Sequence, residues 1–172
     1  GGMGIGFLKH AYMNEILAWS PFSSGLFGCQ APNSGNQTIL VKYGTEEQKK
    51  KWLEPLIRGE IESCFSMTEP NQPGSDPYAI KTRAVRDGDD WVINGQKVWT
   101  SSAHHAQYAI LVTRTDPDLP KHQGMTYFLC DMTAPGVEVR PLRQATGDAE
   151  FNEVFLTDVR IPDAHRLGAV GE

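Results

Sequence analysis

Apolar residues recur at helical spacing from Ile5 through Leu8, Tyr12 and Ile16 to Trp19, and Ser20-Pro21 stops the pattern. One amphipathic helix is predicted there. The stretch from Phe22 to Gln37 is rich in Gly, Ser and Pro and reads mostly as irregular connection, with room for a short helical piece. A second helix is predicted over Thr38 to Tyr43, ended by Gly44. Thr45-Glu46-Glu47-Gln48 then has the form of a capping box, in which the threonine hydroxyl and the glutamine side chain satisfy each other's exposed amides. Glu46 and Glu47 suit the positive end of the helix dipole, and Trp52, Leu53, Leu56 and Ile57 supply an apolar face before Gly59. The Lys49-Lys50-Lys51 run reads as a solvated helix face.

After Glu60 the period changes from helical to alternating. Strands are predicted at Ser63 to Thr68, Ala79 to Arg86, Trp91 to Ile93, Gln96 to Thr100, Tyr108 to Thr113, Met125 to Asp131, Val137 to Pro141 and Glu153 to Val159. Asn94-Gly95 is the strongest hairpin signal, because both residue types accept the positive φ of a two-residue turn. The fold class is therefore α+β: N-terminal helices, then an antiparallel β-barrel or sandwich. The boundary falls near residues 59 to 62, giving a helical unit over 1–60 and a β-domain over 61–172. Neither GxGxxG nor GxxxxGK[ST] occurs, which disfavours a Rossmann or P-loop nucleotide site.

Charge and cysteine usage narrow the class. The 172 residues carry 21 acidic against 16 basic side chains, a formal net charge of -5, with no basic stripe to attract a phosphate backbone. Nucleic acid is not an expected partner. No apolar run approaches the roughly 20 residues of a membrane span, and no signal peptide opens the chain. A soluble intracellular protein is expected. Cys29, Cys64 and Cys130 lack the spacing of a disulfide framework or a zinc site and read as buried thiols. The way both ends run out of their patterns reads as a piece of a longer protein.

Two segments combine backbone amides, hydroxyls and apolar surface: Met67-Thr68 with Gly74-Ser75, and Trp99-Thr100-Ser101. An isoalloxazine ring suits that mixture, since its pyrimidine edge carries donors and acceptors and its benzenoid end is apolar. Taken singly, each reads first as an ordinary strand end, turn or core tryptophan. His104-His105 reads as a solvated loop pair rather than a metal site.

Four stretches settle what spacing leaves open: YGTEEQKKKWLEPLIRGEIESCFSMTEP (43–70), GSD (74–76), WVINGQKVWTSS (91–102) and EFNEVFLTDVRIP (150–162). In this order and spacing the chain resembles the acyl-CoA dehydrogenase family, from late in its N-terminal helical domain through its middle β-domain, without the family's C-terminal helical domain. The resemblance implies FAD. Phe65, Ser66, Met67 and Thr68 match the flavin-binding strand end, and Gly74 and Ser75 match the turn near the pyrophosphate, with Ser75 also toward acyl-CoA. Trp99 matches the aromatic residue on the flavin; Thr100 and Ser101 match the pair beside it, the Ser101 hydroxyl near flavin N5. Many relatives carry threonine at Ser101, and either hydroxyl can donate the same bond.

The implied reaction is α,β-dehydrogenation of an acyl-CoA thioester, with electron-transfer flavoprotein as acceptor and a homo-oligomer as the full-length state. An acyl-CoA oxidase and a non-catalytic acyl-CoA-binding scaffold are the alternatives. The family's base is a glutamate of the C-terminal domain, so no catalytic residue is assigned, and Glu69 reads as part of its turn. Weak or no FAD retention and an exposed apolar barrel face are expected of this chain alone.

Overall fold

The structure, a computed structural model, describes residues 4–74, 76 and 79–171, with the backbone alone described at Lys121 and His122. Helices come first: α1 Phe7–Leu17, α2 Ser23–Leu26, α3 Asn33–Tyr43, and α4 over residues 46–57. In α4 a wider π turn, Lys49–Leu53, separates Glu46–Gln48 from Glu54–Ile57. The expected capping box is present, with the Gln48 amide donating to Thr45 Oγ1 at 3.2 Å and the Thr45 amide to Gln48 Oε1 at 3.0 Å. Gln48 Nε2 then reaches the carbonyls of Ala164 and Arg166, both at 2.8 Å, fastening the helix start to the end of the β-domain.

Two helix expectations change. The segment expected to be irregular before Thr38 is already helical from Asn33, because two asparagines there bond outward to the sheet instead of breaking the turn. Helix α1 forms close to its predicted place but is not amphipathic in effect: Phe7, Leu8, Tyr12 and Ile16 are all exposed and none of its residues is buried. The exposed apolar surface gathers on α1 and α2 rather than on the barrel face where it was expected.

The β-domain is a mostly antiparallel eight-stranded sheet, in agreement with the fold class: β1 Ser63–Ser66, β2 Arg83–Asp87, β3 Asp90–Lys97, β4 Tyr108–Arg114, β5 Met125–Asp131, β6 Val137–Leu142, β7 Phe151–Pro162 and β8 Arg166–Leu167. The order is β6-β7-β3-β2-β4-β5-β8, with β1 added parallel to β4. Strand β4 is buried at every position, which explains its unbroken apolar run. Its Ala109 and Leu111 meet Ala84, Trp91, Ile93, Phe128 and Val154 in one core, so the sheet closes over itself. Its Tyr108 and Ile110 meet Leu40, Leu53 and Leu56 of α3 and α4 in a second, so the helices cap the outer face.

The hairpin lies elsewhere than expected. Asn94-Gly95 sits inside a continuous β3; the turn is Gly88-Asp89, between the paired Asp87 and Asp90, with Gly88 at φ 63°. Asn94 instead grips a bulge in β7, where Thr157 and Asp158 together oppose it. Its side chain donates to Asp158 Oδ1 and accepts from the Asp158 amide, both at 2.9 Å. Gly95 is required by a close approach, since a Cβ there would lie 2.5 Å from Thr82 Oγ1 and 2.8 Å from Thr82 Cα. Gly95→Ala is expected to cost about 1–3 kcal/mol by forcing β2 away, measurable as a lower denaturation midpoint at unchanged m-value.

Cys64 and Cys130 are buried, and burial pushes both thiols up to about 12. Cys29 departs from expectation: it is only half-buried, with Sγ 3.9 Å from His10 Nε2.

Candidate functional site

The site begins where β1 runs out. Asn33 Oδ1 accepts from the Ser63 amide at 3.0 Å and the Ser63 hydroxyl at 2.8 Å, while Asn36 Nδ2 donates to Ser63 Oγ and the Cys64 carbonyl at 2.9 and 3.0 Å. These bonds hold the first turns of α3 against β1. Alternation along β1 buries Cys64 and Ser66 on one side and leaves Phe65, followed by Met67, on the other. The strand ends at Ser66, two residues earlier than predicted, and Thr68 follows in extended connection.

The exit of β3 supplies the opposite wall. Lys97 is its last residue, and the Val98 amide donates to the Thr68 carbonyl at 2.9 Å, joining the two segments directly. Thr100 is pinned on the other side: its amide donates to the Asn152 carbonyl at 3.0 Å, and its carbonyl accepts from the Asn152 amide at 3.1 Å and Nδ2 at 2.9 Å. Between these anchors Trp99 takes a left-handed φ of 60°, a conformation that costs a bulky side chain roughly 1–2 kcal/mol. The indole is 59% exposed and edge-on to Phe151 at 6.1 Å, so it is not a core residue.

The result is a cleft of about 500 Å³, lined on the sheet side by Phe65, Met67, Thr68, Val98, Trp99 and Ser101 and closed on the other by the start of α3. Five of the nine expected contact residues therefore share one surface. Ser66 and Thr100 belong to the same segments, but their side chains are buried behind the wall. Gly74 lies on the far side of Thr68, where a Cβ would sit 3.7 Å from Thr68 Cγ2. Ser75 lies outside the described residues.

Behind this wall is a pair that sequence reasoning did not connect. Lys97 Nζ donates to Glu69 Oε1 at 2.9 Å and to the Met67 carbonyl at 3.0 Å; the Glu69 carboxylate also accepts from the Lys81 and Thr82 amides, both at 2.7 Å. Lys97 is 0% and Glu69 8% exposed. Burial pulls the Lys97 ammonium down to about 8 against the resistance of Glu69. Burial alone would raise the Glu69 carboxyl, but the ammonium and the amide donors outweigh it and hold it below its ordinary value. A lysine at an inward position of β3 was the available signal, because a buried ammonium requires an acidic partner. Asn152, which positions Thr100, carried no comparable signal.

The cleft has the chemistry a flavin ring needs. No charged side chain lines it. Among the described residues the hydroxyls of Thr68 and Ser101 and the amides of Trp99 and Ser101 have no protein partner, leaving donors beside an exposed indole and the apolar Phe65 and Met67.

The family model described as acyl-CoA dehydrogenase, middle domain, matches residues 64–159, and that described as acyl-CoA dehydrogenase, N-terminal domain, matches residues 1–60. The chain belongs to the acyl-CoA dehydrogenase family. It is 50% identical over 133 residues to acyl-CoA dehydrogenase FadE34 of Mycobacterium tuberculosis, covering 77% of this chain and 19% of that protein. To acyl-CoA dehydrogenase family member 10 of Mus musculus it is 40% identical over 172 residues, covering 96% and 16%. Among solved structures, a glutaryl-CoA dehydrogenase of Mycobacterium smegmatis in complex with FADH2 matches with a TM-score of 0.70 at 34% identity, over 79% of this chain and 34% of that one. The chain thus spans under a fifth of these two curated relatives and about a third of that structure.

Proposed function

We propose that the cleft holds the isoalloxazine ring of FAD, and that the protein to which this chain corresponds catalyses α,β-dehydrogenation of an acyl-CoA thioester. The observation that carries the reading is the convergence of Thr68, Trp99 and Ser101 on one uncharged cleft, held by the bond between Val98 and Thr68. FAD, when bound, supplies the acceptor for the substrate's β-hydrogen. The Thr68 and Ser101 hydroxyls and the free amides beside them would hold the ring's polar edge, Trp99 would cover it and exclude water, and Gly74 with Ser75 would lie toward the pyrophosphate. Membership of the family and the FADH2 complex of the glutaryl-CoA relative support the same assignment.

Glu69 is not the base that removes the α-proton. Its carboxylate is held by Lys97 and two backbone amides and does not line the cleft. We assign no catalytic base among the described residues. We take residues 1–60 as the end of a helical domain and 61–172 as the flavin-holding β-domain. Electron-transfer flavoprotein is the proposed acceptor and a homo-oligomer the proposed assembly, in the cytoplasm of a bacterium or the mitochondrial matrix. Among the described residues no helix is long and apolar enough to cross a membrane.

Titrating FAD into this chain while following backbone amide NMR shifts tests the site. The expected result is weak binding with shifts concentrated at Met67, Thr68, Trp99 and Ser101, and an affinity at least tenfold lower in Thr68→Val/Ser101→Ala. Shifts centred on another face, or none at millimolar FAD, would overturn it. Acyl-CoA-dependent reduction of an artificial acceptor by the full-length enzyme, with oxygen alone inactive, separates dehydrogenase from oxidase.

A further inference from the structure

We infer that the buried pair of Lys97 and Glu69 is a positioning clasp that sets the two cleft walls at the spacing a flavin ring requires, an inference that rests on the reading above. Three contacts converge on the pair from different segments. The ammonium holds the Met67 carbonyl on the β1 side and belongs to the last residue of β3, immediately before Val98. Its partner, Glu69, directly follows Thr68 and is fixed to the segment leading into β2 through the Lys81 and Thr82 amides. The Val98 amide, donating to the Thr68 carbonyl, lies between these ties. Thr68 and Trp99 therefore each stand within two residues of a clasp member.

A hydrophobic plug of similar volume could fill the same space. Replacing a buried ion pair by apolar residues is often neutral or stabilising, so core packing alone gives no reason to bury two charges here. What the pair provides and a plug lacks is direction: one ammonium fixes a carbonyl and a carboxylate at once, and that carboxylate fixes two amides. Gly95 serves the same arrangement by letting Thr82 approach. Neither Lys97 nor Glu69 lines the cleft, so both are positioning rather than catalytic residues.

The test compares wild type with the charge-free double variant Lys97→Met/Glu69→Leu, which keeps side-chain volume and avoids an unpaired buried charge. Hydrogen exchange at the Val98 amide is read against Leu111 in β4, with FAD-induced shifts at Thr68 and Ser101 read in parallel. The inference expects Val98 exchange at least tenfold faster with Leu111 unchanged, and FAD affinity at least tenfold weaker. Unchanged Val98 protection in a folded double variant overturns it, as does parallel acceleration at Val98 and Leu111, which is the mark of a merely stabilising pair. Undiminished FAD affinity also overturns it. If wild type gives no FAD-induced shift, the flavin reading fails and this inference with it. Should the double variant not fold, Glu69→Gln, which keeps one of the two acceptor oxygens, is read by the ratio of Val98 to Leu111 exchange: an acceleration at least tenfold larger at Val98 supports the inference, and any smaller difference overturns it.

Discussion

Glu69→Ala is expected to lower stability by about 3–5 kcal/mol, because it strands the fully buried Lys97 ammonium and leaves the Lys81 and Thr82 amides without their acceptor. The pH profile distinguishes this cause from loss of packing. In the wild-type chain the fold holds the Glu69 carboxyl below its ordinary value of 4.5, so its contribution is present above that value and is lost as pH falls through the lowered one. Lys97 works in the other direction. Its ammonium is held at about 8 rather than 10.5, so the unfolded chain binds more protons between those values and the lysine's contribution rises with pH across that window. Removing Glu69 takes away the attraction that resists the effect of burial, so the lysine should lose its proton at lower pH. Urea unfolding from pH 5 to pH 10 should then show a variant deficit that is largest near pH 5 and shrinks as pH rises. A deficit below about 1 kcal/mol, or one constant with pH, would refute this account of the pair.

The sequence revealed more of the site than of its supports, and the reason is physical. Thr68, Trp99 and Ser101 stand at segment ends, where changes of composition and period are local signals, and the resemblance placed them together. Trp99 could not be separated from a core tryptophan by composition, since only its left-handed backbone and exposed indole distinguish the two. The hairpin was misplaced because Asn-Gly accepts a tight turn without compelling one. In β3 the asparagine has a better use holding the β7 bulge, and the glycine makes room for Thr82, contacts 64 and 13 positions away in the chain that no local pattern records. Gly88-Asp89, flanked by acidic residues instead of apolar alternation, was less conspicuous but closes the turn. Helix α3 was started too late for a similar reason: Asn33 and Asn36 look like helix breakers until their side chains have β1 to bond.

Two tryptophans eight positions apart give the other large expected effect. Trp91 is 6% exposed, packs at 5.4 Å from Phe128, donates its indole N–H to Asp163 at 2.7 Å and lies under the Arg86 guanidinium. Trp91→Ala should therefore cost about 3–5 kcal/mol, the range for emptying a well-packed core of a large aromatic side chain. Asp163 would keep its ion pairs with Arg86 and Arg166, so the loss should come mainly from the cavity. Trp99→Gly should have a far smaller effect on stability. Glycine relieves roughly 1–2 kcal/mol of left-handed strain, offset by about 0.5–1 kcal/mol of added chain entropy and by the edge contact with Phe151, about 0.5–1.5 kcal/mol. The net change should stay within about 1 kcal/mol of wild type, while FAD-induced shifts at Thr68 and Ser101 weaken at least tenfold. A side chain whose loss leaves the fold nearly unchanged but removes ligand binding is held in its strained conformation by its neighbours for contact with something outside the protein. If Trp99→Gly unfolds the chain as Trp91→Ala does, the indole is a structural prop and the cleft loses its lid.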